Sequence, residues 1–306
     1  MKIVQIGTGG WGKNHCRVLS ELGVLSAVCD KDMHLAEEFG KKYSVNFYNS
    51  LETLLEKEEF DAAFICTPTI THADIATKLI ESKKHVFVEK PLTYLSEDGQ
   101  KLVDMANKNN VVLTCGYIER FNPAVSTVKD FLTSKKYGDL IRLEFYREHR
   151  MPQHIKDVGI IYDTAVHDID TAMWLFGKTP EVVFAIAGKI NHEHEDFATI
   201  MLGFKDNKTA TISSNWITPT RVRNFNAVCT DGRIFSDFIT QEIRIETDHG
   251  TENPKNEKTE PLLLEIKNFL GAIETKNDIK VKAEQAVNVT KIAEAALLSS
   301  QKGIPI

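Results

Sequence analysis

The sequence predicts an α/β protein of two domains: an N-terminal doubly wound parallel sheet, then an α/β domain with an open, mostly antiparallel sheet. Three observations carry this expectation. Over residues 1 to 120, short β-branched runs alternate with segments whose apolar residues recur at three and four spacing, the mark of βαβ units. Over residues 121 to 306, strand-like runs follow one another with little helix between them. The length of 306 residues, with 42% hydrophobic and 26% charged, suits two medium domains of an ordinary globular chain.

The elements follow in order. "KIVQI", "LSAVC", "AAFIC", "HVFVE" and "VVLTC" are near-continuous apolar runs, as strands covered on both faces require. A helix is expected over 96 to 107, with Ser96 at its N-cap, Glu97 and Asp98 in the first turn where the dipole favours acids, and Leu102, Val103 and Ala106 facing the core. After "RFNP" come a helix and then "IRLEFYREHR", "VVFAIAGKI", "FATIMLGF", "KTATISSNWI" and "VRNFNAVCT". Several of these alternate apolar with polar, which fits a sheet with one covered face. "TDHGTENPKNEKTEP" reads as a surface loop. Helices around 262 to 274 and 283 to 299 close the chain.

Composition narrows the function classes. Thirty-seven basic residues stand against 43 acidic ones, for a net charge of -6, with no long run of either sign, so neither nucleic acid nor a membrane surface is an expected partner. Cys16, Cys29, Cys66, Cys115 and Cys229 form no C-x-x-C pair and read as buried thiols of a reducing compartment. The chain opens on a strand rather than a signal sequence and holds no run of about 18 apolar residues. A cytoplasmic protein is expected.

"GTGGWG" directly follows the first strand and opens a helix. Gly7 allows the tight turn, Gly9 lets a pyrophosphate approach the backbone, Gly12 permits close packing of helix on strand, and Thr8, Gly10 and Trp11 complete the loop. Asp30 ends the second strand, 18 residues beyond Gly12, where an acid receives a ribose 2′-hydroxyl. Strand, turn, helix and acid at these spacings predict a Rossmann dinucleotide site. Asp30 favours NAD by repelling a 2′-phosphate. Lys31 beside it partly offsets that repulsion and leaves NADP possible.

"CTPTITH" places Thr67, Pro68 and His72 at the carboxyl end of another strand, the ligand-binding edge of such sheets. A plain Pro turn with Thr71 capping the next helix fits the same residues. "VEKP" sets Glu89 and Lys90 at the next strand end, again toward the cofactor. Lys90 there acts as acid, base or hydrogen-bond donor if burial lowers its pKa, and is otherwise a solvated strand-end lysine. "DTAVHDID" holds three carboxylates and an imidazole. On a helix over 163 to 176, Asp163, His167 and Asp170 share one face while Asp168 points away. A core histidine satisfied by a carboxylate is the plain alternative. A metal site is not expected, because His192 and His194 lie in a polar stretch with nothing to bring them to His167.

In this order, "GTGGWG", "CTPTITH", "VEKP", "RFNP" and "DTAVHDIDTAMWLFG" resemble the glucose-fructose oxidoreductase/inositol dehydrogenase (Gfo/Idh/MocA) family over nearly the whole chain. The resemblance implies an N-terminal Rossmann domain, a C-terminal α/β domain whose open sheet forms homo-dimers or homo-tetramers, and NAD-dependent oxidation of a sugar hydroxyl. It also implies catalytic roles for Lys90, Asp163 and His167, all three facing the substrate hydroxyl. Ala165 stands where a glycine is common, with Ile161 and Tyr162 before Asp163, which bears on pocket shape. Candidate substrate contacts beside these are Tyr117, Arg120, Asn122 and Tyr162. "GGWGKNH", "GYIERFNP" and "SNWITPTRVR" look like the branch acting on UDP-N-acetylhexosamines, implying oxidation at C3 of UDP-N-acetylglucosamine. Arg221 and Arg223 alternate along a strand or loop and suit a diphosphate; plain surface charge is the alternative. Asp170 is expected to support the site from behind and Asp168 to lie at the surface or cap. The rival functions are a dehydrogenase of free polyols or monosaccharides and a non-catalytic nucleotide-binding regulator.

Overall fold

A computed structural model describes residues 1–152, 155, 157–275 and 278–306. The chain forms two compact units.

The first unit comprises Met1–Gly116 and Leu262–Val287. Its elements run β1 (Ile3–Ile6), α1 (Gly12–Glu21), β2 (Leu25–Cys29), α2 (Met33–Tyr43), β3 (Asn46–Tyr48), α3 (Leu51–Lys57), β4 (Ala62–Ile65), α4 (His72–Glu81), β5 (His85–Glu89), α5 (Ser96–Asn109) and β6 (Leu113–Gly116). The strands pair in parallel in the order β3-β2-β1-β4-β5-β6. The order reverses between β1 and β4, so the carboxyl ends of those strands flank the crevice where dinucleotides lie in such sheets. Every residue of β1 and of β4 is buried, which explains why their sequences show no polar alternation.

Local chemistry sets the helix ends. Asp32 accepts from His34 N to start α2, and Ser50 accepts from Thr53 N to start α3. In α5 the N-cap position belongs to Leu95, not Ser96 as expected, so Ser96 is the first helical residue. That helix runs on to Asn109, where Asn110 turns left-handed at φ 55°.

The second unit comprises Tyr117–Pro261 and Asn288–Ile306. It contains α6 (Pro123–Thr133), β7 (Leu140–Glu148), α7 (Val166–Phe176), β8 (Val182–Gly188), β9 (Phe197–Phe204), β10 (Lys208–Asn215), β11 (Val222–Cys229), β12 (Gly232–Asp237), β13 (Ile243–Thr247) and β14 (Gly250–Glu252). The eight strands pair in the order β14-β13-β12-β11-β7-β10-β9-β8. Only β7 and β10 run parallel; the other pairs are antiparallel. Leu143, Phe145, Ile200, Ile212 and Phe225 make the covered face, which α7 packs against through β7 and β10. On the other face Tyr146, Val182, Ile186 and Met201 are exposed.

Two differences from the sequence reading stand out. Part of "TDHGTENPKNEKTEP" is β14, which pairs with β13 through Thr247 and Gly250, with Gly250 at φ 127°. The C-terminal region is also divided. Helix α8 (Pro261–Thr275) lies in the first unit from Leu262 on, and α9 (Ala283–Lys302) contributes residues to both units. Aromatic packing is the reason for the return of α8: Phe269 meets Phe64 and Phe87 edge-on, with ring centres 5.3 and 5.7 Å apart. Thr114 Oγ1 also donates to Val281 O at 2.7 Å.

Candidate functional site

In the first unit the glycine loop is held by its own backbone. Gly7 is left-handed at φ 83°, and a Cβ on it would collide with Cys66 O. A Cβ on Gly12 would collide with Gly7 O, so the loop folds directly onto α1 and the end of β4. Gly9 differs: a Cβ there would meet only Leu35 Cδ1, at 3.8 Å. Among the described residues nothing forbids a side chain at Gly9, and the space over it has room for a pyrophosphate. Among the described residues no side chain caps α1, whose first turn also carries no acid. Its N–H groups are therefore left for an anion.

Asp30 is aimed by this loop. Its Oδ2 accepts from Thr8 N at 2.8 Å and from Thr8 Oγ1 at 3.1 Å, and its Oδ1 accepts from Asp32 N at 3.0 Å. A carboxylate so fixed keeps lone pairs for two ribose hydroxyls. Lys31 and Trp11 are exposed at the rim, and Gly10 is open as well. Thr67 is half-buried and Pro68 exposed at the end of β4. Thr71 occupies the N-cap position of α4, yet its hydroxyl lies 2.7 Å from Pro68 O and 2.8 Å from Thr67 Oγ1 rather than on a helix N–H.

Two expected cofactor contacts have internal roles instead. His72 is 1% exposed and places Nδ1 2.8 Å from Pro91 O and Nε2 2.9 Å from Thr67 O, tying two strand-end loops together. Glu89 is buried with Oε1 2.8 Å from His15 Nε2, while its Oε2 accepts from Lys90 N at 3.1 Å. Both were placed on the cofactor because they stand at the right strand ends; burial turns them inward. Lys90 itself is half-buried just past β5. His15, Cys66 and Glu89 bring ligand-type atoms within 4.8 Å of one another. Burial beside Glu89 holds the Cys66 thiol well above its ordinary value, so it stays in the protonated form that binds metal poorly.

In the second unit the helix carrying "DTAVHDID" starts with a π turn, Ile161–Ala165, before α7. Ile160 N and Ile161 N are held by Glu195 O and Glu195 Oε1, at 2.8 and 3.2 Å. From 161 to 170, Asp163 and His167 are half-buried and every other residue is buried. A short chain of donors leads to Asp163: Trp216 Nε1 donates to Thr164 Oγ1 at 3.2 Å, and Thr164 Oγ1 donates to Asp163 Oδ2 at 3.1 Å.

The remaining residues of this stretch are structural. Asp168 is fully buried rather than superficial: its carboxylate takes Arg147 Nε at 3.1 Å and Nη2 at 2.8 Å, and Arg147 Nη1 also donates to Glu119 Oε1 at 3.1 Å. Asp170 pairs with Arg120, with Nε to Oδ2 at 2.9 Å and Nη2 to Oδ1 at 2.6 Å, both side chains buried. Arg120 is thus corrected from substrate contact to internal ion pair. Asn122 is corrected too: it is buried, caps α6 through Ala124 N and donates to Phe238 O. Tyr117 and Tyr162 are buried rather than open to a ligand.

Arg221 is exposed and Arg223 half-buried at the start of β11. Arg223 stands opposite Arg147 in the ladder. His149, just past β7, was not expected in the site; it feels the charges of Arg223, Asp163 and Arg221. Its place in the buried row of β7 could have flagged it, whereas nothing in the sequence links Trp216 or Thr164 to Asp163.

Residues 1–117 match the model of an oxidoreductase family with an NAD-binding Rossmann fold, and residues 125–235 match the Gfo/Idh/MocA C-terminal domain. The chain belongs to the Gfo/Idh/MocA oxidoreductase family. This family member is 27% identical over 283 residues to a UDP-N-acetylglucosamine 3-dehydrogenase of Acidithiobacillus ferrooxidans, covering 89% of this chain and 88% of the relative. The solved structure of that enzyme superposes with a TM-score of 0.91 at 25% identity, covering 99% and 98% of the two chains. A myo-inositol 2-dehydrogenase of Thermotoga maritima is also 27% identical, over 265 residues, covering 81% of this chain and 78% of the relative.

Proposed function

We propose that this oxidoreductase uses NAD to oxidise a secondary hydroxyl of a nucleotide sugar, C3 of UDP-N-acetylglucosamine, to the 3-keto sugar. The observation that carries the chemistry is the opening of Asp163 and His167 alone in the otherwise buried stretch 161 to 170. A carboxylate and an imidazole left accessible there suit proton handling rather than packing. The relative of that activity, alike over 89% of this chain, supports the substrate.

Bound NAD supplies the hydride acceptor at its nicotinamide. His167 takes the hydroxyl proton, since an imidazole ordinarily titrates near neutrality. Lys90 donates a hydrogen bond to the reacting oxygen and stabilises the charge that develops on it. Asp163 orients this pair. The roles of Lys90 and His167 can exchange without altering the products. Asp30, oriented by Thr8, receives the ribose 2′-hydroxyl and favours NAD over NADP. Gly7, Gly9, Gly12 and the amino end of α1 cradle the pyrophosphate, and Thr67 and Pro68 border the cofactor.

Oxidation of a free polyol is the second reading, supported by the inositol dehydrogenase at the same identity. Incubation with NAD and either UDP-N-acetylglucosamine or free sugars and inositols separates the two by NADH absorbance; turnover only on the free compounds overturns the first. A non-catalytic regulator is tested by Lys90→Ala, which should abolish turnover while NAD still binds. The exposed Tyr146, Val182, Ile186 and Met201 favour a homo-dimer or homo-tetramer built on the uncovered sheet face, which light scattering would size. A cytoplasmic location accords with five free cysteines and with no helix among the described residues being long and apolar enough to cross a membrane.

A further inference from the structure

The covered face of the second unit's sheet ends in a cluster of basic side chains. Leu143, Phe145 and Arg147 alternate along β7 with their side chains buried, and His149 is the next residue of that row. His149 N donates to Asn215 O at 3.1 Å, so the ladder with β10 continues as far as this residue. Arg223 enters from the other neighbour, β11, directly opposite Arg147. Arg147, Arg223 and His149 therefore share one face within two residues of one another.

Their partners differ. Arg147 takes both Asp168 and Glu119, and Asp168 faces it with both oxygens. For Arg223, no polar atom among the described residues reaches its buried Nε, and the ion pairs with Glu119 and Asp168 are made by Arg147. Burial, with Arg147 and Arg221 nearby, pulls the Arg223 guanidinium down to about 10 against the opposite pull of Glu119 and Asp168. A buried N–H with no acceptor is costly unless a ligand answers it. The charged groups facing His149 from the packed elements are Arg223 and Arg221 of the β11 arm and Asp163 of the π turn. Among the described residues the acid that acts on His149 is Asp163, which adjoins the proposed catalytic position.

His149 adds a switchable charge. Its Nδ1 lies 2.7 Å from Arg150 O, and a carbonyl only accepts, so Nδ1 carries the hydrogen. The Nε2 of the neutral ring is then bare, and protonation turns it into a second donor beside the guanidinium.

We propose that Arg223, Arg221 and His149 form an anion subsite of the second unit that takes a nucleoside diphosphate group, with His149 gaining a proton as the anion arrives. This deepens the nucleotide-sugar reading and rests on it for the ligand class. Burial and the two arginines hold the free His149 below its ordinary value, so the ring is neutral near pH 7. Two phosphates against Nε2 reverse that preference, and binding draws a proton from solution.

The test uses UDP-glucose, whose esterified diphosphate does not titrate near neutrality, added to the intact protein saturated with NADH so that the glycine loop is already filled. Calorimetry in two buffers of different ionisation heat should register proton uptake, and affinity should weaken from pH 6.5 to pH 8.5. His149→Gln should remove the uptake and flatten the pH profile. Arg223→Gln should weaken UDP-glucose by about tenfold or more while NADH affinity, which reads the folding of the first unit, and the far-ultraviolet dichroism stay as in the unsubstituted protein. If Arg223→Gln fails to fold, Arg221→Gln with His149→Gln carries the same test. Absence of UDP-glucose binding, absence of proton uptake, or equal affinity in the arginine variants overturns the subsite. Proton-linked UDP-glucose binding without turnover of any nucleotide sugar keeps the subsite and overturns the catalytic reading. Turnover of UDP-N-acetylglucosamine indifferent to Arg223→Gln does the reverse.

Discussion

His15 Nε2 lies 2.8 Å from Glu89 Oε1, and the other oxygen of that carboxylate holds Lys90 N at 3.1 Å. One buried imidazole on α1 therefore fixes the strand end from which Lys90 projects. His15→Leu leaves the buried carboxylate one donor short and is expected to cost about 1–3 kcal/mol. Urea denaturation with an unchanged midpoint would show that the pair contributes nothing.

Asp30→Ala removes the acceptor proposed for the ribose. The ratio of kcat/KM for NAD over that for NADP is expected to fall about tenfold or more. Steady-state kinetics with both cofactors measure it, and a ratio that stays constant would refute the role of this acid.

Arg147→Met strands Asp168 and Glu119 in the interior. Loss of one partner from a buried ion pair costs about 3–5 kcal/mol, so the variant should unfold at distinctly lower temperature. Adding Asp168→Leu and Glu119→Leu should recover part of the loss, because neither carboxylate is then left stranded. A single variant as stable as the starting protein would contradict the triad.

His85 gives the first unit a pH dependence. Its Nδ1 accepts the Val112 N–H at 2.8 Å, and burial lowers its pKa below the ordinary value. The folded chain thus binds this proton less readily than the unfolded chain, whose histidine titrates near about 6.5. Stability from His85 is complete above that value and is lost as pH falls through it toward the lower folded value. His85→Asn should flatten this part of the stability profile between pH 7.5 and 5.5; parallel losses in both proteins would rule it out.

Trp216→Phe deletes the indole donor to Thr164 and so loosens Asp163. A several-fold fall in kcat with unchanged KM for NAD is expected, read by initial rates at saturating cofactor. A change confined to KM for NAD would argue against a positioning role.

Much of this architecture is written in local pattern. The five apolar runs of the first unit became β1, β2, β4, β5 and β6, with a turn and helix after β1 and an acid at the end of β2, because backbone sterics and strand periodicity act over few residues. β3 and β14, of three residues each, are too short to register, β12 shows no clean alternation of apolar with polar, and β13 alternates over only five residues. Side-chain partnership was the hard part. Asp168, Asp170, Arg120 and Glu89 look like site chemistry in one dimension. Their use as internal pairs depends on Arg147, Asp170's own approach to Arg120, and His15, which lie 21, 50 and 74 residues away. The return of α8 to the first unit was equally hidden, since an amphipathic pattern says that a face is buried and not against what.

The π turn at Ile161–Ala165 holds one residue more than an α-helical turn would. Successive residues of an α-helix advance by about 100°, so that extra residue sets the angular phase between the segment before it and the helix after it. Deleting Tyr162 would preserve Asp163, His167 and the spacing between them, yet would swing the segment that precedes them to another bearing and detach it from Glu195. Part of the alignment of this site is thus stored as a count of residues, and a deletion scan would find that part where an alanine scan passes over it.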